Sequence, residues 1–384
     1  MMKKRYLMAP GPTPVPPNVR LAMAEPLIHH RSPQFSSVFA EVQNGLQYLF
    51  QTQNEVLTFA ASGTGAMDGA VSNLLSVGDK VLVVRGGKFG ERWAEICEAY
   101  GLNVENIDLT WGEAVDPDAI AEKLSTKPDI RAIFVQAHET STGVKHDVKK
   151  IGQIVKDFED TILIVDAISA LGVFDVKTDD WHLDVVVSGS QKGLMLPPGL
   201  AFVSISPKAW EFADRSDLPK YYFNFLKERK SLVKNQTAFT SPVSLVMGLR
   251  EVLKMIKAEG LDFYFFRHRL LAKATRAAAK AMGLDTFAKV PSEGVTVFRA
   301  PDGIDAQEVV RIVREKYGIT IAGGQARLKG KIFRIAHMGY IGPFDIILTV
   351  SAVEMALKEL GHALELGAGV KAVQEVVLKE WKEL

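Results

Sequence analysis

Thr161-Ile162-Leu163-Ile164-Val165-Asp166 is a continuous apolar run that stops at a carboxylate. Unbroken rather than alternating apolarity marks a strand covered on both faces, as in the middle of a parallel sheet. In open α/β sheets ligands gather outside the carboxyl ends of the strands, which places Asp166 where chemistry is done. Downstream, Asp184-Val185-Val186-Val187 reads as a second short strand, and it runs into Ser188-Gly189-Ser190-Gln191-Lys192-Gly193. That loop delivers an amine, Lys192, to the same edge of the sheet.

Further strand-like runs cover 56–60, 80–84, 131–136 and 200–205, alternating with helical stretches. The pattern predicts an α/β fold with a largely parallel, doubly covered sheet. Prolines between Pro10 and Pro17 force an extended entry, because each fixes φ and removes an N–H. Residues 242–282 read as helical with a break near Gly260. Beyond them, runs at 294–299, 319–322 and 331–336 alternate with helices starting near Asp305 and Pro343, and a polar helix closes the chain. The expected division is an extended segment over 1–19, a large unit over 20–260 and a smaller α+β unit over 261–384.

The 384 residues are 47% hydrophobic and 24% charged, enough for two real cores. Lys and Arg number 46 against 45 Asp and Glu, so nothing in the net charge of +1 draws the chain to nucleic acid or an anionic membrane. No apolar run reaches the ~18 residues of a membrane span. The basic start, Met1-Met2-Lys3-Lys4-Arg5, lacks a signal core, and the last residues, to Leu384, carry no retention or peroxisomal address. Cys97, the single cysteine, sits in a helix-like stretch, so a disulfide framework or a thiolate metal site is excluded and a reducing, cytoplasmic setting is expected. His29, His30 and His138 lie near the expected site without the spacing of a metal-ligand pair, so no metal is assigned.

A local anion site is legible in Ala61-Ser62-Gly63-Thr64-Gly65. It follows the 56–60 run and precedes Met67, Ala70, Val71 and Leu74, the buried face of a helix. Glycines let the backbone approach a phosphate, and the free first-turn N–H groups and the helix dipole favour negative charge there. A dinucleotide site is the usual rival. It lacks the acidic residue expected after the next strand, where Arg85-Gly86-Gly87 stands instead.

An amine and a strand-end carboxylate at one sheet edge suit pyridoxal phosphate (PLP): the amine forms a Schiff base with its aldehyde, and the acid keeps its ring nitrogen protonated. Taken one at a time, a loop lysine is usually solvated and a strand-end aspartate is often a helix cap. The surrounding words decide. Val165-Asp166-Ala167-Ile168-Ser169-Ala170-Leu171-Gly172, Ser188-Gly189-Ser190-Gln191-Lys192 and Pro197-Pro198-Gly199 resemble the class V aminotransferases. Within them the chain is most similar to serine:pyruvate and alanine:glyoxylate aminotransferases, from Gly11-Pro12-Thr13-Pro14 to about Gly339.

The resemblance implies the PLP-dependent transferase fold type I, with a mainly parallel seven-stranded sheet in a large domain plus a smaller C-terminal α+β domain. It implies that Lys192 carries the cofactor, that Asp166 pairs with the ring nitrogen, and that Gln191 lies near the phosphate. Ser62, Gly63, Thr64 and Gly65 are then the phosphate turn, Phe89 the aromatic on the ring, and Thr140 a hydroxyl that bonds the cofactor and faces substrate. Thr240 matches a threonine that reaches the phosphate of a neighbouring subunit in a homodimer, and Thr237 stands where the family has a phosphate-binding tyrosine. Arg334, in the apolar run Lys331-Ile332-Phe333-Arg334-Ile335-Ala336, is implied as the fork for the substrate carboxylate, and Gly11 as a further substrate-binding residue. His30 and Arg31 are expected to line the substrate entrance.

The expected activity is ping-pong transfer of an amino group from alanine or serine to glyoxylate or pyruvate. A non-enzymatic PLP-fold binding module stays open, although the intact Lys192 and Asp166 argue against lost chemistry, and three further rivals stay open with it. One is a 2-aminoethylphosphonate:pyruvate aminotransferase. A second is another class V enzyme, a lyase or a desulfurase, although Cys97 in a helix suits the desulfurase poorly. The third is a hydrogenase-associated subunit, against which one cysteine cannot ligate a metal cluster.

Overall fold

The computed structural model describes residues 4–381. Met1–Lys3 and the last three residues, on which the readings of both termini partly fell, lie outside the described residues. Fourteen strands are described: β1 (Tyr6–Leu7), β2 (Val56–Phe59), β3 (Lys80–Arg85), β4 (Asn103–Asp108), β5 (Ile130–Gln136), β6 (His138–Glu139), β7 (Val144–Lys145), β8 (Ile162–Asp166), β9 (Val185–Gly189), β10 (Ala201–Ile205), β11 (Val295–Arg299), β12 (Ile319–Thr320), β13 (Ala322–Gly323) and β14 (Ile332–Ala336).

Seven of them form the central sheet, in the order β2-β10-β9-β8-β5-β3-β4. β10 runs antiparallel to both its neighbours, while β9, β8, β5, β3 and β4 are mutually parallel. Because β10 reverses twice, β2 ends on the same side as the parallel strands. The loops carrying Ser62, Gly87, His138, Asp166 and Lys192 therefore all leave from one edge.

β8, β9 and β10 are buried along their whole length. Alternation assigns Leu163 and Val165 to the core layer that contains Phe39 and Leu249, and Ile162 and Ile164 to the layer that contains Met67 and Trp93. Burial of each such side chain contributes about 1.5–3 kcal/mol, which fixes the register that ends at Asp166. β4, of sequence Asn-Val-Glu-Asn-Ile-Asp, had no apolar run to announce it. It is an edge strand with no fully buried residue, and its pairing with β3 places it.

Helices Val243–Glu259 and Leu261–Ala281 meet at Gly260, where the break was expected. The second leads to the antiparallel sheet β11-β14-β13. The expected single strand over 319–322 is two: β12 pairs in parallel with β1, and β13 pairs with β14. The N-terminal segment thus joins the C-terminal layer, and Ala336 donates its N–H to Met8 O at 2.9 Å. The segment then crosses the edge of the central sheet, where Thr13 N–H donates to Gln191 O at 3.1 Å, before helix Pro17–Ala24 begins. The closing helix Ala368–Trp381 buries Val373 and packs along Leu261–Ala281. Among the described residues no helix is long and apolar enough to cross a membrane.

Candidate active site

At the carboxyl edge of the sheet a cavity of about 190 Å³ is lined by Gly63, Thr64, Phe89, Arg92, His138, Thr140, Asp166, Gln191 and Lys192, among others. Each strand end contributes through its own turn. Asp166 closes β8 and is 5% exposed. Its carboxylate accepts one hydrogen bond, from the Ile168 N–H at 2.8 Å. Burial pushes its pKa up to about 7, and neighbouring Glu139 adds to the rise. Lys192 follows β9 after two residues, Ser190 and Gln191, and donates to the Pro10 carbonyl. Burial draws its pKa down to about 8, against the opposing pull of Asp166 and with help from Arg334 and Arg92. An acid and an amine near neutrality share one cavity, the combination expected of groups that exchange protons.

Helix Gly63–Leu74 points its N-terminus at this cavity from the end of β2. A Cβ at Gly63 would stand 2.6 Å from Ile168 Cδ1, so the backbone can come this close only without a side chain. Ser62 is the N-cap residue but is exposed and makes no capping bond; Gly65 lies one turn in, against Ala61 and Phe223. Neither lines the cavity. Thr64 does, and its hydroxyl accepts from Arg92 Nη1 at 3.3 Å. Gln191 Oε1 is buried with no partner, an acceptor waiting for a donor.

Phe89 forms one wall, with the Arg92 guanidinium 5.0 Å over its ring. His138 is buried between the Ser169 carbonyl, 3.1 Å from Nδ1, and the Ser292 hydroxyl, 2.6 Å from Nε2. Burial lowers its pKa to about 3, so it stays neutral. Gly11 has a φ of +122°, and a Cβ there would fall 2.2 Å from Lys192 Nζ. Arg334 sits behind Thr140, 6% exposed, with Nη1 donating to Thr140 O at 2.9 Å and Nε and Nη2 to Gly323 O at 3.0 and 2.7 Å. Its partners are all neutral carbonyls, and burial lowers its pKa to about 10. A buried guanidinium without a bonded anion is a natural carboxylate site.

Thr237 and Thr240 are not brought to this cavity. They line a separate one with Thr58 and Glu228. Thr237 bonds the Phe239 carbonyl and the Ser241 hydroxyl, and Thr240 is exposed. The expectation for Arg31 also changes. Its guanidinium donates to Thr237 O at 2.6 Å, Gln236 Oε1 at 3.0 Å and Ala238 O at 3.1 Å, so it grips the segment before Thr240 and does not line the Lys192 cavity. His30 is not among the lining residues either. Arg92 went unnoticed in the sequence, although it stands three residues after Phe89, on the same helical face.

Comparison with known proteins gives a consistent result. The family model described as aminotransferase class-V matches residues 5–338. A protein of Synechococcus sp. named "Soluble hydrogenase, small subunit" is 48% identical, covering 98% of this chain and 99% of its own. A serine–glyoxylate aminotransferase of Hyphomicrobium methylovorum is 37% identical over 97% of this chain and 95% of its own. Among solved structures, ureidoglycine-glyoxylate aminotransferase of Bacillus subtilis superposes with a TM-score of 0.93 at 29% identity, covering 98% of this chain and 99% of that one.

Proposed function

The chain belongs to the class-V aminotransferases, and from that premise we propose that it moves an amino group from alanine or serine to glyoxylate or pyruvate, with PLP in the Lys192 cavity. The observation that carries the reading is the pairing of buried Asp166 and Lys192 in one cavity at the N-terminus of a glycine-led helix. The residues present suit the cofactor. Asp166 has a carboxylate with one protein hydrogen bond, free to take a ring N–H. The N-terminus of helix Gly63–Leu74, with Gly63 and Thr64, suits a phosphate, while Ser62 and Gly65 shape the turn. Phe89 offers an aromatic face and Thr140 a side chain on the opposite loop.

PLP, when bound, supplies an aldehyde for the amine and a ring that takes up electrons from the substrate Cα. Lys192, with its pKa near 8, is neutral in a useful fraction at physiological pH and acts first as nucleophile. The same Nζ would take the proton from the substrate Cα, hold it as the ammonium and give it back, so that one amine would serve as base and then as acid. Asp166 would hold positive charge on the ring nitrogen of the bound cofactor, in a buried setting where such a pair is strong. Arg334 orients the substrate carboxylate, and Gly11 leaves room beside the amine.

The same proposal includes a homodimer in which Thr240, with Thr237 near it, serves the neighbouring subunit's phosphate. Its support is the exposure of Thr240 on a segment that Arg31 holds in place. A cytoplasmic setting and a division into units near residue 260 are likewise proposed, supported by the buried free thiol of Cys97 and by the helix break at Gly260. A hydrogenase-associated role draws support from the names of two relatives, of Synechococcus sp. and Anabaena cylindrica, and from no feature of the site. A desulfurase needs a mobile cysteine, whereas Cys97 is 0% exposed inside helix Lys88–Ala99.

The test is the visible absorption spectrum of the purified protein, with and without alanine or serine, alongside Lys192→Ala. A band that the amino acid bleaches and the variant lacks supports the reading. A band that responds only to 2-aminoethylphosphonate changes the substrate. No band after adding PLP overturns it.

A further inference from the structure

Helix Lys88–Ala99 starts at Gly87, which has no side chain with which to cap it. Its first amides are satisfied from far away in sequence. Phe89 N–H and Gly90 N–H both donate to Glu139 Oε2, each at 3.0 Å, and Lys88 N–H donates to Ser141 Oγ at 3.0 Å. The other carboxylate oxygen of Glu139 accepts from Ser141 Oγ at 2.6 Å and from Ser141 N–H at 3.1 Å. Glu139 itself is 0% exposed. A Cβ at Gly87 would stand 2.4 Å from Ser141 Oγ and 2.5 Å from Glu139 Cδ, so the capping carboxylate occupies the place of a local capping side chain.

A serine or aspartate at the N-cap would stabilise a helix as well and more simply. The remote carboxylate does something more. The helix it caps carries Phe89 and Arg92, two walls of the Lys192 cavity, and the residue after it is Thr140, which lines that cavity and holds Arg334 through its carbonyl. Burial raises the pKa of Glu139, and the hydrogen bonds from Ser141, Gly90 and Phe89 oppose that rise; in its ionised form the carboxylate raises the pKa of Asp166 and favours the charged form of Arg334.

We propose that Glu139 is the positioning residue of this site, capping helix Lys88–Ala99 from the Thr140 loop so that Phe89, Arg92 and Thr140 stand at fixed places around Asp166 and Lys192. The proposal rests on the reading of the cavity as a PLP site. Glu139 itself is not among the residues that line the cavity.

The experiment uses the full chain, stripped of cofactor and reloaded with PLP, as wild type, Glu139→Gln and Ser141→Ala. An amide at position 139 turns an N–H₂ group toward backbone donors and loses the charge. The expected result for Glu139→Gln is PLP affinity weaker by about tenfold or more, and a diminished circular dichroism band of the bound cofactor. The midpoint of the pH dependence of PLP uptake should also move down, because Glu139 no longer raises the pKa of Asp166. Ser141→Ala, which keeps the carboxylate, should give a smaller loss of affinity in the same direction and carries the test if the first variant does not fold. Wild-type affinity, dichroism and pH midpoint in both variants would overturn the proposal. So would affinity that falls only in step with the melting temperature of the stripped protein, with the midpoint unmoved. If the wild type takes up no PLP, the functional reading fails and the positioning role with it; failure confined to the variants' readouts removes the positioning role alone.

Discussion

Arg334 Nη1 donates to the Thr140 carbonyl at 2.9 Å, which ties the C-terminal sheet strand β14 to the loop that leaves the central strand β5. The guanidinium is thereby held in a fixed plane by carbonyls alone, behind Thr140 and not itself among the residues that line the cavity. Arg334→Lys keeps the charge and loses the fork. The expected outcome is a fall of about 10–100-fold in kcat/KM for the amino acid, mostly through KM, with PLP affinity unchanged. Steady-state kinetics with alanine and serine check this, and a loss confined to PLP binding would remove Arg334 from the substrate.

On the proposed reading, two groups govern how the stripped protein takes up PLP. Asp166, with its pKa raised to about 7, must be ionised to meet a protonated ring nitrogen. Lys192, with its pKa lowered to about 8, must be neutral to attack an aldehyde. Both conditions improve as pH rises, so the uptake rate should climb between pH 6 and 9 in two overlapping steps. Stopped-flow mixing with PLP measures it. Asp166→Asn should erase the lower step and leave the upper one.

The same acid has a cost in the absence of cofactor. Its folded pKa of about 7 lies above the unfolded value of 3.8, so the folded state binds more protons between those values and stability falls as pH rises through that window. Asp166→Asn removes the penalty. The stripped variant should therefore be more stable than stripped wild type by about 2–4 kcal/mol at pH 8 and no more stable at pH 4. Urea unfolding at the two pH values decides the matter, and a variant equally or less stable at pH 8 would show that Asp166 finds another partner when PLP is removed.

Shared sites can be tested by mixing. Lys192→Ala and Thr240→Glu chains, each of low activity alone, should regain about one quarter of wild-type activity when coexpressed at random, since half the dimers hold one intact site. Sedimentation of the wild type should give a dimer. A monomer, or no regain, would place the phosphate contacts within one chain.

The sheet and the Asp166–Lys192 pair were legible because fully buried strands leave an unmistakable run of β-branched and aliphatic residues. Ile162–Val165 and Val185–Val187 announce themselves, and Asp166 and Lys192 stand where or just after they stop. Edge strand β4 was hidden because its half-exposed residues need no apolar pattern, and the split at Ile321 was hidden because strand partners, not local sequence, divide β12 from β13. The reversal of β10 is invisible for the same reason: a strand buried on both faces looks alike in either direction. Arg92 and Glu139 escaped notice because their roles come from contacts made 28 and 50 residues away, with Thr64 and Phe89. Arg31 was misplaced because sequence shows a cation near the entrance but not the carbonyls that claim it.

Cys97 is wholly buried against the underside of the sheet, and burial pushes its thiol pKa far above the usual range. The chain therefore offers a blank background to thiol reagents. A second cysteine introduced on the surface, for instance on the segment before Thr240, can carry a fluorophore or spin label at a single place without prior removal of the native one, and the distance between two such labels would follow chains coming together in solution.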